Sequence, residues 1–311
     1  NALNVIDPTQ QIHRLPYWRI ALRGCSQLCF QSNELTGAFF VAAALVAGPI
    51  SAAYMLAAAF IAPAGRKLLG ARDPVLETGL PGLNPCMIAI SLPAFFHTGW
   101  TNASMWIVLL VSVACTVALV RLCVAVLPFP TLALPFLIIF WSLDAAAPRL
   151  EFLQPIVFHT PQTELFRPFT AVLSSLGQTL FTPSIWSGLL FITGLSLSNW
   201  RHGLIAVIGA TIGTAVSYYY RSADPVSANL GLFGFNGVLT AVSVFTLCGE
   251  KLRLAILGAL LATILTPAVA EFGVVTLSAP YVLTTWLMLV LGWIEDHWLG
   301  IPSASKPVTT L

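Results

Sequence analysis

GLFGFNGVL, residues 231–239, is the stretch on which the reading of this chain turns. Three glycines and an asparagine interrupt an apolar run, a composition that breaks a helix where its neighbours would extend it. A near copy, GLPGLN, occupies residues 79–84, at an offset of 152 (79 to 231). Further blocks recur outward from this pair. Gln27-Leu-Cys-Phe30 matches Gln178-Thr-Leu-Phe181, and Thr36-Gly37 matches Ser187-Gly188, both at 151. Asp73-Pro74-Val75 matches Asp224-Pro225-Val226, again at 151. Leu134-Pro135-Phe136 through Trp141 matches Ala279-Pro280-Tyr281 through Trp286 at 145. Order kept over five blocks at nearly one spacing means a duplicated chain, because unrelated helices sharing Leu and Gly do not preserve order.

Composition fixes the medium in which these halves fold. The 311 residues include 14 basic and 12 acidic side chains, 8% charged, with 57% hydrophobic residues. A soluble domain carries about 25% charge. This chain cannot build a charged shell, and its apolar content excludes disorder. Its apolar runs are long and lack the alternation of barrel strands, so the fold class is an all-α polytopic membrane protein. Apolar runs occupy 35–63, 103–127, 132–147, 185–198, 203–220, 230–247, 254–270 and 277–294, and Gly48–Pro49 breaks the first. The run 84–96 is about half a bilayer long, as in a re-entrant helix. The organisation expected is a polar segment at 1–14, a first half at 15–147, a connector at 148–170, a second half at 171–294 and a polar tail at 295–311. Lys and Arg flank the first span on both sides, so they leave the orientation open.

The repeated blocks carry Gln, Asn, Gly and Pro, and their one matched ionisable pair, Asp73 and Asp224, heads the polar Asp-Pro-Val segments outside the apolar runs. An ion path wants charged rings or a proton relay. Two halves lined by uncharged polar groups favour a small neutral solute moving along their pseudo-twofold axis. Net charge +2 leaves no nucleic-acid footprint. Six cysteines read as small hydrophobes, and five scattered histidines form no metal spacing, so neither metal nor cofactor is expected. With no nucleophile elbow or catalytic pair, the chain does not read as an enzyme.

The block 231–239 with its first-half copy resembles the signature of the urea transporter family. RGCSQLCFQSNELTG (23–37) is similar to that family's first pore segment, and FPTLALPFLIIFW (129–141) and LSAPYVLTTWL (277–287) resemble its third repeated element. The resemblance covers about residues 20–294. It implies two inverted halves, each of about five spanning helices and one re-entrant pore helix, around a central pore. It also implies a homotrimer in a plasma membrane, here a bacterial inner membrane, with urea permeating passively. Side-chain amides at Gln27 and Gln178, aromatic slots at Phe30, Phe181 and Phe235, and aliphatic filter residues at Met87 and Leu239 follow from it. The central hydroxyl pair falls at Ala133 and Ser278. Leu83 stands where the motif has Phe and Ala133 where it has Thr, so a related amide (formamide, acetamide) or ammonia is the alternative solute.

Blander roles compete for some of these residues. Gln27 and Gln178 could bond neighbouring backbone, and Ser278 could bond its own i−4 carbonyl. Asn84 and Asn236 read as staples of the adjoining breaks. Arg121, Asp144 and Glu271, without counterparts in the other half, read as helix-end or subunit-contact charges.

Overall fold

Inside a bilayer a helix closes its own backbone hydrogen bonds, and every break must be closed by the protein. The computed structural model describes residues 15–158 and 164–299. The polar segment 1–14 and the tail from 300 lie outside the described residues. Seven helices run through the first half: α1 (Tyr17–Ser26), α2 (Glu34–Ala47), α3 (Pro49–Leu68), α4 (Asp73–Glu77), α5 (Leu83–Phe95), α6 (Ala103–Val126) and α7 (Leu134–Ala146). The same order returns in α8 (Pro168–Gln178), α9 (Ile185–Ser198), α10 (Trp200–Ala215), α11 (Pro225–Asn229), α12 (Phe235–Leu247), α13 (Leu252–Ala270) and α14 (Ala279–Trp298). A π turn, Val216–Tyr220, prolongs α10.

Three of these segments are long and apolar enough to cross a membrane: Ala103–Val126, Trp200–Tyr220 and Leu252–Ala270. The pair Tyr17–Cys29 and Glu34–Ala47, bent by 71°, makes a fourth if it is one broken span. Leu80–Phe95 and Phe235–Leu247 are apolar but short, as the half-bilayer length of 84–96 led us to expect. Large aliphatic side chains stay exposed along α6, among them Ile107, Val111 and Leu122, which is the surface a lipid contact requires.

Local chemistry sets the helix boundaries. Asn33 caps α2 by accepting from Thr36 N at 3.0 Å, and Ser184, its counterpart at an offset of 151 (33 to 184), caps α9. Gly48, at φ +151°, separates α2 from α3, whose first residue is Pro49. The repeated glycines Gly79 and Gly231 sit at φ +78° and +75°. A Cβ there would lie 2.4 Å from Arg23 C or 2.3 Å from Ser174 C, so both the turn and the close approach require glycine.

The asparagine of each deciding block then closes the break. Asn84 Nδ2 donates to Leu132 O at 2.8 Å, and its Oδ1 accepts from Phe136 N at 3.0 Å. Asn236 does the same to Leu277 O at 2.9 Å and Tyr281 N at 3.3 Å. Leu132 and Leu277 are themselves in the left-handed region, at φ 49° and 46°. Each amide thus ties the start of a short helix (α5 or α12) to the start of the helix that follows next but one (α7 or α14).

The halves meet reciprocally. Phe40 and Phe191, equivalent at 151, are both fully buried and stack at 4.8 Å and 10°. Trp141 Nε1 donates to Val275 O at 2.8 Å, and Trp286 Nε1 donates to Pro130 O at 2.8 Å. That pairing of i with j and of their counterparts is the pattern an internal twofold produces.

Within 148–170, α8 begins at Pro168, and an earlier part folds back: Ile156 N donates to Phe95 O at 2.8 Å and His97 N to Gln154 O at 2.9 Å. These bonds occupy backbone groups freed where α5 ends. At the other end of the second half, α14 continues to Trp298. Glu295 and Asp296 pair there with Arg253 and Lys251, each at 2.7 Å.

Asn236→Ala leaves a buried carbonyl and a buried N–H without partners, and each such loss costs about 1–3 kcal/mol. A lowered thermal midpoint of the purified protein is expected, by about 2–4 kcal/mol of stability. A half-buried control such as Asn199→Ala removes only a helix cap, worth about 1 kcal/mol, and should shift it less.

Candidate functional site

The end of α1 and the end of α8 are built alike. After each helix the chain reverses through a phenylalanine in the left-handed region, Phe30 at φ 58° and Phe181 at φ 55°. Phe30 N donates to Gln27 O and Phe181 N to Gln178 O, both at 3.0 Å. A bulky residue at positive φ is uncommon. Its recurrence at equivalent positions shows that the reversal is set by the fold, which aims both rings toward the opposite half.

The rings meet aromatic partners across the halves. Phe30 packs edge-on to Tyr281 of α14, with centroids 6.4 Å apart. Phe181 packs edge-on to Phe136 of α7 at 6.0 Å and to Phe95 at 5.8 Å. Tyr281 and Phe136 are counterparts at 145 (136 to 281), so the two clusters are versions of one arrangement. Edge-to-face pairs of this kind contribute about 0.5–1.5 kcal/mol beyond burial.

The remaining candidates surround these clusters. Leu83 and Met87 are buried on the first turns of α5, and Leu239 is buried on α12 behind half-buried Phe235. Ala133 and Ser278 are buried at the N-terminal caps of α7 and α14. Gln27 is buried and its Nε2 donates to Thr78 O at 2.8 Å, the backbone-bonding role open to it from sequence. Gln178 differs: its Oε1 is buried and has no partner. Two cavities, of 330 Å³ beside Arg221 and Thr266 and of 570 Å³ around Arg149 and Gln154, include none of these ten residues.

Hydroxyl groups sharpen the picture. Helical Ser and Thr in an apolar setting ordinarily bond the i−4 carbonyl. Thr246 does so to Val242 O and Thr263 to Ala259 O, both at 2.8 Å. Thr240 of α12, Thr284 of α14 and Ser278 do not, and each has a buried oxygen with no partner. The i−4 role open to Ser278 is therefore not the one it takes. Their first-half counterparts are Ile88, Ile139 and Ala133, which need no partner. Unmade hydrogen bonds of this kind cost about 1–3 kcal/mol each, so several of them in one fold call for an explanation beyond packing.

Sequence reasoning missed several of these groups. Tyr281 and Phe136 stand in a repeated block, and their matched positions were the available signal. Thr240 and Thr284 carry no such signal. Gln31, next to Phe30, lies 2.8 Å through Nε2 from His202 Nδ1 and accepts from Ser198 Oγ at 2.7 Å. His202, read as incidental, thus helps join the halves beside one aromatic cluster.

A family model described as Urea transporter matches residues 18–292. The chain is 25% identical over 293 residues to a protein named Urea transporter 1 from Ovis aries, covering 87% of this chain and 76% of that protein, and the same figures hold for Urea transporter 1 from Capra hircus. The similarity to Urea transporter 1 from Mus musculus is 25% over 238 residues, covering 72% of this chain and 61% of that protein.

Because the Thr240 and Thr284 hydroxyls bond nothing, Thr240→Val and Thr284→Val should leave stability unchanged or raise it, by up to about 1–3 kcal/mol each. Thermal midpoints of both variants, read against Ser243→Ala, check this. Ser243 Oγ lies 2.8 Å from Thr285 Oγ1, so that substitution should lower the midpoint.

Proposed function

The chain belongs to the urea transporter family, and from that premise we propose that it is a passive, channel-like pathway for urea running between its two halves. The observation that carries the proposal is a group of four buried, unpartnered oxygens, Gln178 Oε1, Thr240 Oγ1, Ser278 Oγ and Thr284 Oγ1; Tyr54 Oη of α3 and Ser187 Oγ of α9 are unpartnered as well. All four belong to the second half and lie on helices or caps adjoining the aromatic clusters of Phe30 and Phe181.

Urea is planar, with four N–H donors and one carbonyl acceptor. In water those donors are satisfied, and entering an apolar bundle would leave them unmade. Oxygens held without internal partners replace the lost water bonds at no cost in broken protein bonds. Several weak sites in sequence also let the solute leave. Aromatic faces at Phe30, Phe181 and Phe235 accommodate a flat molecule, while a candidate lining without a charged side chain disfavours a hydrated ion.

The lining is lopsided. Oxygens come from the second half, and the first half supplies Leu83, Met87, Ile88 and Ala133 at equivalent positions. A urea molecule in such a slot presents its N–H edge to one wall and a face or apolar edge to the other. Leu83, where Phe235 has its counterpart, offers bulk but no ring to stack on. This is the specific observation that favours a second reading, in which formamide or acetamide competes well with urea.

The finer layout follows the same reading. The two halves are inverted, five spans and a re-entrant helix each, with the short helices α5 and α12 as the re-entrant pair. Their paired order, the asparagine staples and the reciprocal tryptophan bonds support it. Assembly as a homotrimer in a bacterial inner membrane rests on the family resemblance.

Liposome shrinkage under gradients of urea, formamide and acetamide tests the proposal. Urea flux well above that of empty vesicles is expected, falling about tenfold in Gln178→Ala and in a Thr240→Val, Thr284→Val double variant, as loss of about 1.4 kcal/mol of solute stabilisation gives. Urea flux equal to that of empty vesicles defeats the reading; unchanged flux in both variants defeats the residue assignment. Leu83→Phe should raise the selectivity for urea over acetamide, and an unaltered ratio would place Leu83 outside the path.

A further inference from the structure

The last turn of α3 holds a guanidinium that the protein leaves unsatisfied. Arg66 is only 8% exposed, and its Nη1 is sealed from solvent with no hydrogen bond. Among the described residues no carboxylate and no carbonyl meets its side chain. The charge that acts on it is Arg121 of α6, of the same sign. Gly65, one residue earlier, packs against Val117: a Cβ there would lie 3.3 Å from Val117 Cγ1. That contact brings α3 and α6 together one turn before Arg121, so both arginines belong to one seam.

A guanidinium has five N–H donors and no acceptor, and a buried one without a counter-ion is strongly unfavourable. The fold does not impose this. In the second half the position equivalent to Arg66 is Ser217, which lines the 330 Å³ cavity with Arg221, Thr266 and Ala270. Arg221 there donates through Nη1 to Thr263 O at 3.4 Å. The second half gives its arginine a carbonyl, and the first half gives Arg66 nothing. An anion from outside the chain is the missing partner.

The surroundings say which anion. Leu68 is 88% exposed two residues after Arg66, and Leu122 and Val126 are exposed beside and one turn beyond Arg121. Exposed aliphatic side chains around paired cations match the depth at which lipid chains meet headgroups. We propose that Arg66 and Arg121 hold the phosphate of an anionic membrane lipid at the seam of α3 and α6. Arginine suits that role because its planar fork binds phosphate through two parallel bonds.

The full chain, purified in neutral detergent, is titrated with phosphatidylglycerol, phosphatidylcholine or inorganic phosphate, and thermal midpoint and bound-lipid count by native mass spectrometry are read. Phosphatidylglycerol should raise the midpoint and phosphatidylcholine should do so far less. In Arg66→Gln and Arg121→Gln the half-saturating concentration should rise about tenfold, the loss of one charge-assisted bond. Equal responses to the two lipids, or an unaltered phosphatidylglycerol response in both variants, overturns the site. Inorganic phosphate reproducing the whole shift overturns the lipid source in favour of a free anion. If Arg66→Gln fails to fold, Arg121→Gln, exposed in the native chain, decides alone.

Discussion

Backbone that stops being helical within an apolar bundle must find its hydrogen bonds inside the protein, and two asparagines answer that demand here. Asn84 and Asn236 each spend a donor and an acceptor on the segment leading into α7 or α14. Everything near the candidate site hangs from these ties. They fix where α5 and α12 begin, and so where Leu83, Met87, Phe235 and Leu239 project. They also fix the caps that carry Ala133 and Ser278 and the aromatic residues Phe136 and Tyr281 just inside. Glycine at 79 and 231 permits the turns that deliver the chain to the staples, since any side chain there would collide with the end of α1 or α8.

On this nearly symmetric skeleton the side chains are not symmetric. Thr240 stands opposite Ile88 in the alignment of halves, Thr284 opposite Ile139, Ser278 opposite Ala133 and Phe235 opposite Leu83. Duplication preserved what the backbone needs and let the lining diverge. In the proposed pathway these hydroxyls stand on the second-half side and aliphatic side chains on the first-half side, an arrangement that would let a planar, polar, uncharged solute recover part of its lost hydration. The place equivalent to Arg66 diverged too: Ser217 stands there, and Arg221 nearby donates to Thr263 O, whereas Arg66 Nη1 has no partner.

Much of the fold was legible because backbone requirements write themselves into residue type. Gly79, Asn84, Gly231 and Asn236 could be found by repetition, and their structural roles follow from what only glycine or a short amide can do. The break at Gly48–Pro49 and the short helix at 84–96 were readable for the same reason. The site was less legible. Gln27 and Gln178 look identical in sequence, yet one amide bonds Thr78 O while the other keeps a bare oxygen. Thr240 and Thr263 are both threonines in apolar helices, and only the fold distinguishes them: the second is satisfied by its own helix. Phe136 and Tyr281 were hidden by the sheer abundance of aromatic residues. Nothing in the sequence around Arg66 marks it as buried, because its burial depends on α6, more than fifty positions away.

The most direct measurement of the central claim is the location of a bound solute. Diffraction from crystals of the protein soaked in selenourea, a heavy-atom mimic of urea, reveals occupied positions by the anomalous signal of selenium. The account requires a peak between the halves, within hydrogen-bonding reach of Gln178 Oε1 or of the hydroxyls of Thr240, Ser278 or Thr284, and beside Phe30 or Phe181. Selenium found only at the outer surface, with those four oxygens turned to protein partners, would contradict it.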